Sequence, residues 1–472
     1  MSGASHLFYA PKPYRWAFAS ARHLQLRATQ RKNDPFCASK AAMQTKCAVQ
    51  PSSNGTGFDT ALNPCVAAVR PSKTMLLSDL ASSLRESGVD VVSLAAGEPD
   101  FDTPQEIIDA GIEALRTGIT HYTPNVGTGA IRAALVKKLA DENGLVYGTN
   151  EIVVTNGAKQ AIWQSLLAVC SPGDEVLIPA PFWVSYPEMA RLAGAVPKII
   201  DCSAEEGYLM TADQLRDALK PSSRLLILCT PSNPTGSVYP LQRLQELAEV
   251  VAQHPRLLVL SDEIYEHIIY PPAQHHSFAA LPGMWPRTFT VNGFSKAFAM
   301  TGWRLGYLAA PRDFAKAAAI VQSQTTSGAS SIAQHAALAA LALGPAGGAP
   351  VAAMRAAFLE RRDYVVERLQ RIEGVRVASP DGAFYVLPDL SAFFGPDVHA
   401  DGFGPIPDAD TLCRYILEKG NVALVPGDAF GAPACLRISY AASLETLEKG
   451  LDRIEDALTS AALHRPALAT SL

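Results

Sequence analysis

Apolar residues recur along the chain in two alternating patterns. In residues 107–115 and 131–143 they fall three and four apart, the spacing of an amphipathic helix. Short unbroken apolar runs follow: Ile152-Val153-Val154, Glu175-Val176-Leu177-Ile178, Arg224-Leu225-Leu226-Ile227-Leu228 and Leu257-Leu258-Val259-Leu260. Each is rich in Val, Leu or Ile and ends in a turn-rich segment. A strand without polar alternation is buried on both faces, so these runs predict parallel strands joined by helical crossovers. The predicted architecture is α/β, a mostly parallel sheet covered by helices on both faces.

Near Gly344-Pro345-Ala346-Gly347-Gly348 the composition changes, and the pattern beyond it is different. A long helix is predicted over 351–372, short strands over 375–378 and 383–387, and a helix over 411–418. These define a second, smaller α+β domain. The expected organisation is a leader at 1–57, a segment at 58–102 packing with the small domain, a large domain at 103–345, the small domain at 346–460 and a tail at 461–472. Residues 391–409, rich in Gly, Pro and Asp, predict a surface loop.

A chain of 472 residues has room for two such domains. Hydrophobic residues make up 48% and charged residues 18%, an ordinary globular balance. With a formal net charge of -5, the chain carries no electrostatic signal for nucleic acid or a membrane surface. No apolar run is long enough to predict a transmembrane helix. Residues 1–57 depart from the rest: eight Lys or Arg, one acid (Asp34), many Ala, Ser and Thr, and no apolar core. That is the composition of an organelle transit peptide, plastid first and mitochondrion as the alternative; a plain tail is the competing reading. The eight cysteines form no C-x-x-C and predict free, buried thiols. His275-His276 read as a solvated loop pair, and no metal is expected.

In open α/β sheets, ligands bind beyond the carboxyl ends of the strands, and four such ends carry unusual residues. Thr155-Asn156-Gly157-Ala158-Lys159-Gln160 brings free helix amides to a glycine turn, a phosphate site if a ligand is there and a plain turn if not. In Thr230-Pro231-Ser232-Asn233-Pro234-Thr235-Gly236, two prolines hold Asn233 rigid, as they would in an Asx-Pro turn. Asp262, in Ser261-Asp262-Glu263-Ile264-Tyr265, follows an apolar strand. A carboxylate there either caps a helix or faces a cation. The last, Ser295-Lys296-Ala297-Phe298-Ala299-Met300-Thr301-Gly302-Trp303-Arg304-Leu305-Gly306, places an arginine suited to phosphate eight residues after a lysine.

This last segment resembles the S-K-x-x-x-x-T-G-W-R-x-G signature of the class I aminotransferases of fold type I. The other three match that family in order, and the resemblance runs from about Arg70 to Ile454. Within the family, the chain is most similar to the prokaryotic-type aspartate aminotransferases, a subgroup that includes bifunctional aspartate/prephenate enzymes of plastids. The resemblance implies the fold-type I architecture with a seven-stranded sheet. It also implies pyridoxal 5'-phosphate held as a Schiff base on Lys296, with Asp262 at the pyridine nitrogen and Tyr265 and Asn233 at the phenolic oxygen. Gly157, Ala158, Ser295 and Arg304 would take the phosphate, and Trp183 the ring face. Tyr122 matches a residue that reaches the neighbouring subunit's phosphate, which implies a homodimer. Gly97 would lie beside the substrate, and Arg437 would clamp its α-carboxylate. Lys159 and Thr74 match positions associated with prephenate use; in isolation they read as a surface lysine and a helix cap. The implied reaction exchanges amino groups between aspartate or glutamate and 2-oxo acids, with prephenate as a further acceptor. Aromatic or alanine aminotransferases and a lyase of the same fold are the alternatives.

Overall fold

The computed structural model describes residues 61–465; all but the first belong to one unit, Leu62–Leu472. The leader expected at 1–57 lies outside the described residues.

A seven-stranded sheet forms the centre. From one edge to the other its strands are Ile152–Thr155, Gly306–Ala309, Thr288–Gly293, Leu258–Asp262, Ser223–Cys229, Glu175–Ala180 and Val196–Asp201. The predicted apolar runs lie in four of them, and these are almost wholly buried because helices cover both faces. Gly306–Ala309 runs antiparallel to both neighbours, and the other contacts are parallel. That reversal has a consequence for the site. The carboxyl end of Thr288–Gly293 and the amino end of Gly306–Ala309 lie side by side, with Gly293 opposite Gly306. Both ends of the connection carrying Lys296 and Arg304 therefore fall on the edge where the parallel strands finish.

The helices predicted at 107–115 and 131–143 are Gln105–Arg116 and Gly129–Asn143. Thr128 caps the second, and Gly144 ends it in the left-handed conformation. Beyond the sheet, the predicted long helix is Gly348–Gln370, and Ala409–Gly420 replaces the shorter helix expected at 411–418. Val425–Pro426, Leu436–Ser439 and Tyr385–Val386 make a three-stranded antiparallel sheet. Val92–Ser93 pairs with Val422–Ala423, so the segment before the large sheet joins these C-terminal elements.

Two local expectations fail. Residues 375–378 form no strand; Arg376 makes a single bridge to Asp389. The expected loop at 391–409 contains a hairpin, His399–Ala400 with Gly404–Pro405. Six free cysteines are described, of which Cys65 is exposed rather than buried. No single described helix is long and apolar enough to cross a membrane.

Candidate active site

A cavity of about 460 Å³ opens at the carboxyl edge of the large sheet. Its walls include Thr74, Gly97, Ala158, Lys159, Trp183, Asn233, Asp262, Tyr265, Ser295, Lys296, Arg304 and Arg437. The sequence had singled out all twelve. Of the other two candidates, Gly157 lies just behind the wall and Tyr122 is elsewhere, 99% exposed.

The Gly157 turn is built by close approach. Gly157 has φ +80°, and a Cβ there would sit 2.6 Å from an Arg304 guanidinium nitrogen. A Cβ on Gly306 would meet the Ala158 amide nitrogen at 2.5 Å. The two glycines let the strand and turn touch, which lays Arg304 against the amino end of Ala158–Val169. Arg304 Nη1 donates to the Thr301 carbonyl at 2.9 Å. Ser295, buried, is on the same rim.

Asp262 is the last residue of its strand and is buried. No helix follows it, so it caps none; its Oδ1 accepts from the Ile264 amide at 3.3 Å. Burial pushes its carboxyl up to about 6, against the lowering effect of the Tyr186 hydroxyl. Lys296 Nζ donates to the Gly97 carbonyl. Burial lowers its ammonium to about 8, Arg437 and Arg304 push the same way, and Glu98 and Asp262 oppose them. A lysine brought this near neutrality is an available nucleophile.

Arg437 is 2% exposed, in the strand Leu436–Ser439. It donates to Asn233 Oδ1 at 3.1 Å and to the Ala95 carbonyl at 2.7 Å, and its guanidinium lies over the rings of Tyr385 and Phe430. Its Nε has no partner. Because arginine only donates, the Asn233 oxygen faces Arg437 and the amide nitrogen is turned away from it. Tyr265 and Tyr385 share a hydrogen bond of 2.9 Å.

Among the described residues, no carboxylate lies within ion-pair distance of Lys159, Lys296, Arg304 or Arg437. Lys159 Nζ stands 5.0 Å over the Trp183 ring instead, and burial beside Arg304 lowers its ammonium. Thr74 is no helix cap. Ser72 holds that position, and Thr74 bonds its hydroxyl at 2.8 Å.

Sequence reasoning missed Tyr186, Tyr385, Glu98 and Met75, which also line the cavity. Tyr186 stands three residues after Trp183, on the first turn of the helix Ser185–Leu192. That spacing was its one local signal; Tyr385 carries none and arrives through tertiary packing.

The residues present fit pyridoxal phosphate: a lysine of lowered pKa, a buried carboxylate, an arginine at a helix amino end and a buried guanidinium with an unpartnered nitrogen. Such a site at the carboxyl edge of this sheet defines a fold-type I transferase.

The family model for aminotransferases of classes I and II matches residues 89–454, and the chain belongs to that family; it is an aminotransferase. A bifunctional aspartate aminotransferase and glutamate/aspartate-prephenate aminotransferase from Petunia hybrida is 61% identical over 402 residues, covering 85% of this chain and 84% of that one. An aspartate/prephenate aminotransferase from Cereibacter sphaeroides is 42% identical over 395 residues, covering 84% of this chain and 98% of the other. The structure of an aspartate aminotransferase from Thermus thermophilus with maleate superimposes with a TM-score of 0.79 at 42% identity, covering 84% of this chain and 100% of that one.

Proposed function

We propose that the chain binds pyridoxal 5'-phosphate in this cavity and transfers amino groups between aspartate or glutamate and 2-oxo acids, with prephenate as a further acceptor. One observation carries this reading. Among the described residues, the four cations around the cavity have no carboxylate within ion-pair distance, so the site is made for a ligand with several anionic groups. The cofactor phosphate and a dicarboxylic substrate bring them.

In this reading Arg304, Ser295 and the amides of the Gly157-Ala158 turn hold the phosphate. Asp262 faces the ring nitrogen, Asn233 and Tyr265 the phenolic oxygen, and Trp183 the ring face. The bound cofactor supplies an aldehyde that takes the amino group and a ring that withdraws electrons from the reacting carbon. Lys296 would then work as the base: its Nζ, with its pKa lowered and its proton directed at the Gly97 carbonyl, would take the substrate's α-proton and pass it to the carbon that had been the aldehyde, which leaves the amino group on the cofactor. Arg437 clamps the α-carboxylate, and Gly97 lines the same wall. Lys159, with Thr74 nearby, meets the second carboxylate of aspartate or prephenate. The names of the Petunia and Cereibacter relatives support aspartate as a donor and prephenate as an acceptor.

Tyr122, fully exposed in the single chain, fits a place in the site of a second copy, so the working form is a homodimer. The composition of residues 1–57 supports delivery to the plastid.

The test is a half-reaction. The chain from residue 58 onward is loaded with cofactor, converted to the aminated form with glutamate and freed of glutamate. Prephenate or oxaloacetate is then added, and the absorbance is followed. Recovery with both supports the full reading. Recovery with oxaloacetate alone removes prephenate from it, and recovery with neither overturns it.

A further inference from the structure

The helix Lys73–Glu86 supplies Thr74, Met75 and Ser78 to the cavity, yet it is loosely seated. Ala81 is its one buried side chain. Met75, Leu76 and Leu80 are exposed, and a gap of about 290 Å³ separates Leu76 and Leu80 from Cys413 and Leu417 of Ala409–Gly420. Apolar packing holds the turn that carries Thr74 from one side only, where Leu77 packs against Ala95, Val425 and Phe430. Polar contact holds its start. Lys73 Nζ lies 2.9 Å from Asp410 and 2.7 Å from Asp428. Partial burial opposes its charge, but the two carboxylates outweigh that and hold its ammonium above the ordinary value.

The two acids are placed to matter. Asp410 is in the first turn of Ala409–Gly420. Asp428 is in the turn Gly427–Phe430, which leaves the strand Val425–Pro426. Val425 is the register partner of Arg437, and Phe430 of that turn packs on the Arg437 guanidinium. A continuous path thus runs from Thr74 through Lys73 and Asp428 to the scaffold of Arg437.

We infer that Lys73 is a positioning residue for substrate selection: by pinning the first turn of its helix to the Asp410 and Asp428 carboxylates, it sets Thr74 and Met75 at a fixed place opposite Arg437. The inference rests on the function proposed above. It concerns how the substrate side chain is received, not how the cofactor is held. A substrate gripped at its α-carboxylate by Arg437 then meets a wall whose distance from that grip is set by one lysine. Without the latch the wall drifts, and the longer or ring-bearing dicarboxylates lose most.

The test uses the full chain with cofactor. Lys73→Ala is expected to raise KM for aspartate and prephenate about three- to tenfold, the combined weight of two partly exposed ion pairs. The values of kcat, cofactor affinity and thermal midpoint should stay near wild type. Lys73→Arg should restore KM. In an Asp410→Asn/Asp428→Asn background, Lys73→Ala should have little further effect, because coupled residues are non-additive. An unchanged KM in Lys73→Ala overturns the inference. So does a loss of cofactor affinity or stability as large as the KM effect, or full additivity with the Asp variants. A wild-type chain that transfers no amino group from aspartate overturns the proposed function and this inference with it; failure confined to the variants touches this inference alone.

Discussion

Tyr186 donates a hydrogen bond of 2.6 Å to Oδ2 of Asp262, and both groups are buried. The contact matters because burial pushes Asp262 toward its neutral form while the tyrosine opposes that, which leaves its carboxyl at about 6. Only the ionised carboxylate can hold a protonated ring nitrogen. Cofactor affinity should therefore be full above about pH 6 and should fall as pH drops through that value. Tyr186→Phe removes the donor. A hydrogen bond to a charged group is worth about 1.5–3 kcal/mol, so the fall should move to higher pH by about one to two units. Cofactor titrations across pH check this; coincident profiles for the two proteins would count against it.

Arg437 and Asn233 make a second pairing across the cavity. The guanidinium is buried with an unpartnered Nε and no carboxylate of its own among the described residues. A dicarboxylate ligand such as maleate should raise the thermal midpoint of the wild-type chain, by a free energy of about 2.7 kcal/mol at a hundredfold excess over Kd. Arg437→Lys keeps the charge but loses the planar fork. It should raise KM for aspartate about ten- to a hundredfold, the worth of one charged hydrogen bond, and abolish most of the maleate shift. Thermal scans with and without maleate read this directly.

These two relationships show what was and was not legible in the sequence. Asn233, Asp262, Lys296 and Arg304 stand at strand ends, and unbroken apolar runs mark two of those strands in the sequence, those before Asn233 and Asp262. The strands Thr288–Gly293 and Val196–Asp201 were not seen. The first is fully buried yet carries Thr288, Thr290 and Asn292, and the second includes Pro197 and Lys198. Neither presents an apolar run. The antiparallel Gly306–Ala309, which turns Arg304 back toward Lys296, is four residues long and opens with glycine. Tyr186 and Tyr385 owe their places to packing between distant segments, which local patterns do not encode. His275 is the reverse case: read as a solvated loop residue, it lies half-buried, 3.1 Å from Glu263.

That histidine belongs to a buried charge cluster on the far side of Asp262. Lys138 pairs with Glu266, which also accepts from Asn143 and Asn292. Burial drives the Glu266 carboxyl up, but Lys138, His267 and His275 outweigh it and hold it far below its ordinary value. Because the folded pKa is depressed, this acid stabilises the fold above its unfolded value of about 4.3, and the contribution is lost as pH falls below it. Lys138→Met leaves the buried carboxylate without its closest cation, with only His267 and His275 to face it. It should cost about 3–5 kcal/mol, seen as a lower denaturant midpoint. Lys138→Met/Glu266→Leu should recover most of that loss, since removing both charges also removes the penalty. A double variant as unstable as the single one would contradict the pairing.

Lys296 carries the strongest expectation of all. Its amine is lowered to about 8, and its Nζ is held against the Gly97 carbonyl rather than against an acid. Lys296→Ala should lower turnover with aspartate by at least about 10²–10⁴-fold, the range expected for losing a positioned base, and more if the lysine also carries the cofactor. The cofactor should still bind, because Arg304, Ser295 and Asp262 remain, but borohydride should no longer fix it to the protein. Mass spectrometry distinguishes the cases: in wild type the added mass should map to the peptide containing Lys296, and in the variant to no single lysine. A variant that turns over within about tenfold of wild type would leave the proton transfer to another group. The candidate is then Lys159, whose lowered ammonium also faces the cavity.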